Sequence, residues 1–265
     1  MKHTKITLIA LSILALGGLN SVVSASHSWG GYHWARTTNP FTLQVGDNLS
    51  SSWDPYLATT VSDWSPSSVL KLTIKPGKTN ARTCKATTGR IEVCNSKYGN
   101  NGWLGIAQIW ASGSHITKGV VKLNDTYFST PEYNTPAWKN LVMCQEVGHA
   151  FGLDHQDELF NNPNLGTCMD YTSDPSTNQH PNQHDYAMLE SLYSHLDTST
   201  TVRSLAITGA ARGSSLSEGA GRDTDENNPN EWGKEIRKDK VGHRSLHVRD
   251  LGNGEKVFTF VVSTQ

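Results

Sequence analysis

One short segment, from Gln145 to His155, constrains this chain more than any other. It reads QEVGHAFGLDH, and a helix over its first part places Gln145 and His149 one turn apart on the same side. Glu146 is adjacent and can lean over whatever those two side chains hold. Gly152 is placed to end the helix and turn the chain back, which brings His155 towards the same point. Three converging donors with an open fourth position describe a catalytic zinc site, in which a carboxylate takes a proton from bound water.

This segment resembles the metzincin clan of zinc endopeptidases, whose pattern is H-E-x-x-H-x-x-G-x-x-H followed by a methionine turn. Five residues fall on that pattern: Glu146, His149, Gly152, His155 and Met169. Within the clan, the chain is most similar to the matrixin group, in the Gly-Leu-Asp-His end of the segment and in residues 185–193. The resemblance covers about residues 117–196. It implies one catalytic zinc ion and hydrolysis of protein or peptide substrates.

The chain departs from the pattern at Gln145, where the clan has its first histidine. An amide oxygen is neutral and a poorer donor than an imidazole nitrogen, so zinc affinity should be lower than in a three-histidine site. Three outcomes are open: Gln145 is a ligand through its oxygen, His180 or His184 replaces it, or the site is degenerate and inactive. We expect the first, because a degenerate site has no need for a carboxylate at Glu146, whose desolvation is costly.

The resemblance also assigns roles around the metal. The resemblance implies that Met169 forms an apolar floor beneath the ion and is not a ligand. Tyr171 lies where some metzincins place a tyrosine that approaches the metal or the developing oxyanion; the alternative is a tyrosine that lines the substrate pocket. Glu146 is implied as the general base. The implied zinc ligands are Gln145, His149 and His155.

Four cysteines allow three pairings. Cys84 and Cys94 flank a segment that reads as a hairpin or loop closed at its base, which leaves Cys144 to pair with Cys168. These last two directly precede the first ligand and Met169, so their bond would hold the ligand helix and the methionine turn in register. The alternative is free buried thiols.

Acidic and amide side chains crowd the region after the motif. Asp154, Asp157 or Glu158 could accept the second ring proton of a ligating histidine, or could belong to a solvated acidic turn. Calcium is a secondary expectation, since the composition, although not the spacing, is typical of calcium loops. The residues concerned are Asn161, Asn162, Asn164 and Asp170.

The order of periodic segments, strands first and then two helices, predicts an α+β fold. Alternating or apolar runs predict strands at 41–45, 69–74, 104–110 and 115–123. The last of these is richer in charge, which suits a sheet edge that binds extended peptide by strand addition. With the resemblance, this implies a zincin-type domain: a twisted, mostly parallel sheet with an edge strand, an active-site helix, a methionine turn and a C-terminal helix.

Helices are predicted from capping signals and helical spacing. One opens with Asp54 as N-cap and runs to Trp64. Residues 135–151 are apolar nearly all round, which places that helix in the centre of a domain. A last helix spans about 181–196, and we expect His180 and His184 to belong to its cap rather than to the cleft.

The chain divides into four predicted parts. Residues 1–25 have the basic start, short apolar run and small-residue site of a secretory signal peptide. Residues 26–197 form the predicted catalytic domain, and residues 198–230 a polar, glycine-rich linker. Residues 231–265 form a small C-terminal β-hairpin appendage around Gly252-Asn253-Gly254.

The formal charge of −1 is spread along the chain without a basic block, which excludes an electrostatic footprint for nucleic acid. The sequence therefore predicts a secreted, monomeric zinc metalloendopeptidase with protein or peptide substrates and no membrane span after signal cleavage. A short N-terminal piece with Trp29 and Trp34 is expected to pack on the domain surface. The alternative function is a catalytically inactive, secreted binding protein that keeps the metzincin fold.

Overall fold

The computed structural model describes residues 27–203, 227–239 and 242–264. The predicted signal peptide and most of the predicted linker lie outside these residues. The strands are β1 (His33–Trp34), β2 (Phe41–Asn48), β3 (Leu70–Pro76), β4 (Ile91–Ser96), β5 (Trp103–Ser112), β6 (His115–Asn124), β7 (Lys234–Lys238), β8 (Arg244–Gly252) and β9 (Glu255–Ser263). The α-helices are α1 (Asp54–Trp64), α2 (Asp125–Phe128), α3 (Pro136–His149) and α4 (Gln183–Leu192).

These strands form one mixed sheet, so the fold is α+β as predicted. The prediction of a mostly parallel sheet is wrong, because four of the eight strand pairings are antiparallel. The order is β3-β2-β4-β6-β5-β9-β8-β7, and β1 pairs with the first residues of β6. Pairings among β1, β2, β3, β4 and β6 are parallel, whereas those that involve β5 and the C-terminal strands are antiparallel. Strands β8 and β9 are the two strands of the predicted hairpin, and they extend the same sheet.

The prediction that residues 115–123 form an edge strand is wrong. Strand β6 lies inside the sheet, between β4 and β5, so it offers no free edge to a peptide. The charge that suggested an edge is accommodated within the sheet: the buried Lys122 ammonium donates to Gln108 Oε1 at 3.3 Å. Lys118 lies over the ring of Trp110 on the neighbouring strand. From the sequence alone, a lysine that packs on or bonds to a neighbouring strand cannot be distinguished from a lysine on an edge strand.

Helix α3 is the central helix that the apolar pattern predicts. Thr135 accepts a hydrogen bond from the backbone N–H of Trp138, and every residue from Leu141 to His149 is buried. Helix α1 also occurs as predicted, except that Trp53, and not Asp54, is its N-cap residue. Helix α4 begins with a capping box in which Asn182 and Asp185 bond each other's backbone N–H groups.

The N-terminal segment does not lie on the surface as expected, because its tryptophans are core residues. Trp29 is 4% exposed and Trp34 is fully buried. Their indole N–H groups donate to the carbonyls of His149 (3.1 Å) and Ala150 (2.8 Å) at the end of α3. Two of the carbonyl groups that a helix end leaves unpaired are thereby satisfied by side chains from 120 and 116 residues away.

Two disulfides are present, Cys84–Cys94 and Cys144–Cys168, the pairing that the sequence favoured. The second joins α3 to the segment before Met169. Within the described residues, no helix is long and apolar enough to cross a membrane.

Candidate metal centre

The end of α3 is shaped by two glycines. A Cβ at Gly148 would lie 2.6 Å from the sulfur of Met169, so only glycine lets the methionine turn pack this closely against the helix. Gly152 has a φ of +100°, and a Cβ there would lie 2.1 Å from the carbonyl oxygen of Tyr32. The chain therefore turns back sharply after α3, and His155 returns to the helix.

The two predicted histidine ligands face each other. The Nε2 atoms of His149 and His155 are 3.0 Å apart. His149 Nδ1 lies 2.9 Å from the carbonyl oxygen of Leu153, which can only accept, and His155 Nδ1 lies 3.2 Å from a carboxylate oxygen of Glu158. Each Nδ1 therefore carries the proton, and in the neutral tautomers two Nε2 lone pairs point at each other.

Such an arrangement suits a cation between the rings. Two ligands about 2.0–2.1 Å from a tetrahedral zinc ion lie roughly 3.3 Å from each other, close to the observed separation. Burial, together with the neighbouring His155, lowers the pKa of His149 well below its usual value, which favours the neutral form that metals bind.

Gln145 and Glu146 are buried with their polar atoms unsatisfied. Among the described residues, no hydrogen-bond partner of good geometry reaches either side-chain atom of Gln145 or either carboxylate oxygen of Glu146. Burial raises the pKa of Glu146 well above its usual value, and the backbone N–H of Val262 acts in the opposite direction. Buried polar groups are rarely left unpaired, and a metal ion with its water would satisfy these two. The residues present therefore fit zinc.

An ion-paired cluster holds the second histidine in place. Asp154 accepts the backbone N–H of His155, and Glu158 faces its Nδ1. Arg237, from β7, pairs with Asp154 at 2.6 Å and with Glu158 at 2.9 Å. Burial alone would raise the pKa of Asp154, but the bonded guanidinium of Arg237 lowers it. The sequence offered Glu158 as one of three candidates, and gave no signal for Arg237, which lies about 80 residues away.

Strand β9 covers the centre. The fully buried ring of Phe260 stacks on His149, with centroids 4.1 Å apart and planes 16° apart. The hydroxyl of Tyr171 donates to the backbone carbonyl of Val261 at 3.3 Å, and its ring lies 4.3 Å from that of His155. The sequence indicated Tyr171 as a site residue but not Phe260, because the alternating pattern of a strand does not predict which residues its aromatic side chains contact.

Other candidates lie elsewhere. His180 is exposed and pairs with Asp63 at 2.6 Å, and His184 stacks on His27. The cap of α4 is made by the side chains of Asn182 and Asp185. His184 takes part in it through its backbone N–H, whereas the prediction for His180 is wrong, because its side chain pairs with Asp63. Among the predicted calcium ligands, Asn162 and Asn164 use their amide nitrogens as hydrogen-bond donors, whereas Asn162 Oδ1 and Asp170 Oδ1 are buried without a hydrogen-bond partner in the described part of the chain. Calcium there stays a prediction.

The sequence matches no protein-family model and no curated protein. Among solved structures, it is similar to high choriolytic enzyme 1, a hatching-enzyme zinc protease of the medaka fish Oryzias latipes. The sequence identity is 11% and the TM-score 0.33, over 63% of this chain and 96% of that chain. A likeness at this level does not define a fold or an activity.

Proposed function

We propose that this chain is a secreted zinc-dependent metalloendopeptidase of metzincin type. The observation that carries the proposal is the face-to-face pair of histidine Nε2 atoms beside a buried, unpaired carboxylate. His149 and His155 would hold the ion, and Gln145 would be the third ligand through its side-chain oxygen. Export rests on the signal-like composition of residues 1–25.

A zinc ion, when bound there, would acidify a water molecule and polarise the carbonyl of a peptide bond. Glu146 accepts a proton from the attacking water and delivers it to the leaving nitrogen as the C–N bond breaks. Its raised pKa fits a group that must hold that proton between the two steps. Tyr171 donates a hydrogen bond to the carbonyl oxygen on which negative charge develops.

The contact between Tyr171 and Val261 supports the last assignment. The tyrosine hydroxyl already donates to a backbone carbonyl that the chain's own strand presents beside His155. A substrate carbonyl at the same place would meet the same donor. Tyr171 would then act directly on the reacting group, in preference to the alternative role of lining a pocket.

A second candidate function, a secreted binding protein without catalysis, has one observation in its favour. Each of the five site residues is at most 7% exposed, because β9 lies over them. They are Gln145, Glu146, His149, His155 and Tyr171. If β9 never leaves, no substrate reaches the centre, and the metal would serve stability alone.

Zinc content and casein cleavage separate these functions. The mature chain should contain zinc and cleave casein, and Glu146→Gln should keep the zinc and lose about 10²–10⁴-fold of the rate. The matched control is Glu190→Gln, at a surface residue bonded to Ser68, which should change neither. Zinc without cleavage, even after β9 is loosened by Arg237→Ala, would favour the binding protein. Absence of zinc at this centre would contradict both.

A further inference from the structure

A second cluster of side chains of the kinds that bind metals lies outside the candidate metal centre. The Nε2 atoms of three histidines surround one carboxylate oxygen, Asp197 Oδ1. The distances from that oxygen are 3.4 Å to His33, 3.2 Å to His115 and 3.8 Å to His195. The Nε2 atoms of His33 and His195 are 3.2 Å apart. Strand pairing places His33 directly beside His115.

At this cluster, His33 presents the unprotonated ring nitrogen that a metal requires. His33 Nδ1 lies 2.9 Å from the carbonyl oxygen of Gly31, which can only accept, so the proton is on Nδ1 and the Nε2 lone pair faces the cluster. Ligands at about 2.0–2.1 Å from a tetrahedral zinc ion lie roughly 3.3 Å from one another. Four of the six separations among these atoms are 3.2, 3.4, 3.2 and 3.8 Å, which bracket that value.

Arg36 binds one oxygen of the Asp197 carboxylate. It donates to Asp197 Oδ2 from its guanidinium at 2.8 Å and from its backbone N–H at 3.1 Å, which leaves Oδ1 to the histidines. A carboxylate oxygen and imidazole nitrogens are among the ligands that zinc binds.

We propose that His33, His115, His195 and Asp197 form a second, four-ligand zinc site with a structural role. Four protein ligands close the coordination shell, which is typical of structural zinc. The site joins β1, the start of β6 and the segment after α4. Since His33 precedes Trp34, whose indole bonds the end of α3, the second ion would also hold the candidate active-site helix in place.

Metal stoichiometry tests this proposal without any activity measurement. The untagged, mature chain should bind about two zinc ions, and His115→Ala or His195→Ala about one. These side chains are 37% and 52% exposed, so their removal should leave the fold intact, as near-ultraviolet circular dichroism can verify. His180→Ala, at an exposed histidine outside both clusters, should still bind two.

The doubly substituted His149→Ala, His155→Ala protein separates the two sites. It should retain one zinc ion, which is lost when His115 or His195 is also replaced by alanine. Equal stoichiometry in the wild type, His115→Ala and His195→Ala proteins would overturn the second site. If only the candidate active site does not bind zinc, the wild type should contain one zinc ion, and His115→Ala should remove it.

A different observation concerns the edge of β5, and its interpretation rests on the proposed function. Strand β9 pairs with β5 antiparallel, with Ala107 opposite Phe260 and Gly105 opposite Val262. Gly105 is also where β5 approaches Glu146: a Cβ there would lie 3.0 Å from the carboxylate. An extended backbone thus passes directly over the general base, with its Val261 carbonyl bound by Tyr171.

We infer that residues 255–263 occupy the cleft as an internal substrate mimic and hold cleavage well below the rate that an open cleft would give. An edge strand binds extended peptides by backbone hydrogen bonds, and β9 uses the edge of β5 that a substrate would need. The ion pairs of Arg237 with Asp154 and Glu158 fasten the C-terminal strands over the centre. Full activity therefore requires that β9 leave β5.

The full-length Arg237→Ala protein tests this inference. Hydrogen exchange of residues 103–112 should become faster, and casein cleavage should rise about tenfold or more, because two charged hydrogen bonds are lost. Lys238→Ala is the matched control, since this neighbouring lysine is 58% exposed and its ammonium pairs with Glu235 on the same strand. Faster exchange without increased cleavage, measured with zinc in excess in a protein that does cleave casein, would overturn the inference.

A peptide with the sequence of residues 255–264 provides a readout that does not depend on catalysis. It should bind Arg237→Ala more tightly than wild type, as measured by fluorescence anisotropy. If the peptide binds the variant more tightly but neither protein cleaves casein, the proposed function is contradicted, whereas the inference that β9 occupies the cleft still holds. Equal binding to both proteins would overturn the occupied cleft.

Discussion

At the scale of single residues, Gln145 decides how the centre differs from a three-histidine site. Its side chain is 1% exposed, lies one turn before His149, and has no hydrogen-bond partner of good geometry within the described residues. An amide whose oxygen and nitrogen are both buried and unpaired is destabilising unless something else satisfies it. A metal ion bound to the amide oxygen would satisfy that atom.

The ligand role of Gln145 gives a prediction with opposite signs for two substitutions. Gln145→His should tighten zinc binding by on the order of tenfold or more, because imidazole is the stronger donor. Gln145→Ala should weaken it. Competition with a zinc chelator measures both affinities, and equal affinities in all three proteins would remove Gln145 from the ligand set.

Glu158 gives a prediction for the residue behind a ligand. Glu158→Gln should lower zinc affinity by about 10–100-fold, because the carboxylate fixes the tautomer and orientation of His155. The same chelator competition measures the change, with Glu190→Gln as the control. An unchanged affinity would mean that Asp154, 3.7 Å from the same ring nitrogen, orients the histidine instead.

The sequence predicted the candidate residues that a helix brings together, and little of what surrounds them. Helical periodicity places Gln145 and His149 on one face, and a glycine after the helix implies a return towards it. Phe260 and Arg237 join the site through strand pairing more than 80 residues away. No local rule encodes that register, so no inspection of the motif could have found them.

At the scale of elements, α3 and the methionine turn form one unit. Gly148 admits the Met169 sulfur, and the Cys144–Cys168 disulfide joins the helix to the residue before that methionine. The helix was predictable in full, because an apolar sequence with a threonine cap permits few alternatives. The position of β6 was not, since buried lysines such as Lys122 look like solvent-exposed ones.

Close packing at Gly148 predicts a loss of stability on adding one methyl group. Gly148→Ala should reduce the free energy of unfolding by about 1–3 kcal/mol, because its Cβ would overlap the Met169 sulfur. Gly119→Ala is the control: the nearest atoms to its Cβ lie at 3.7 Å, and its φ is not positive. Urea denaturation measures both, and equal stabilities would contradict the packing described here.

The disulfide beside the centre should affect both stability and metal binding. Replacing Cys144 and Cys168 by serine should cost about 3 kcal/mol, from the entropy that the unfolded chain regains, and should also weaken zinc binding. Replacing Cys84 and Cys94 should cost a similar amount and leave zinc affinity unchanged. Equal effects of both pairs on zinc affinity would show that the bond near α3 has no special part in holding the ligands.

At the scale of the whole molecule, one sheet carries both the centre and its cover. Strands β1 to β6 support α3, and β7, β8 and β9 continue the sheet so that β9 lies over the histidines. The α+β class followed from the order of strands and helices. The joining of the C-terminal hairpin to β5 did not, because strand alternation reveals which residues are buried and not which strand buries them.

The most direct test of the zinc centre is a crystal structure with data collected at the zinc absorption edge. We expect an anomalous peak between His149 Nε2 and His155 Nε2, about 2.0–2.2 Å from each and from the side-chain oxygen of Gln145. Zinc-supplemented crystals with no peak there, and with the two rings still facing each other, would contradict the account.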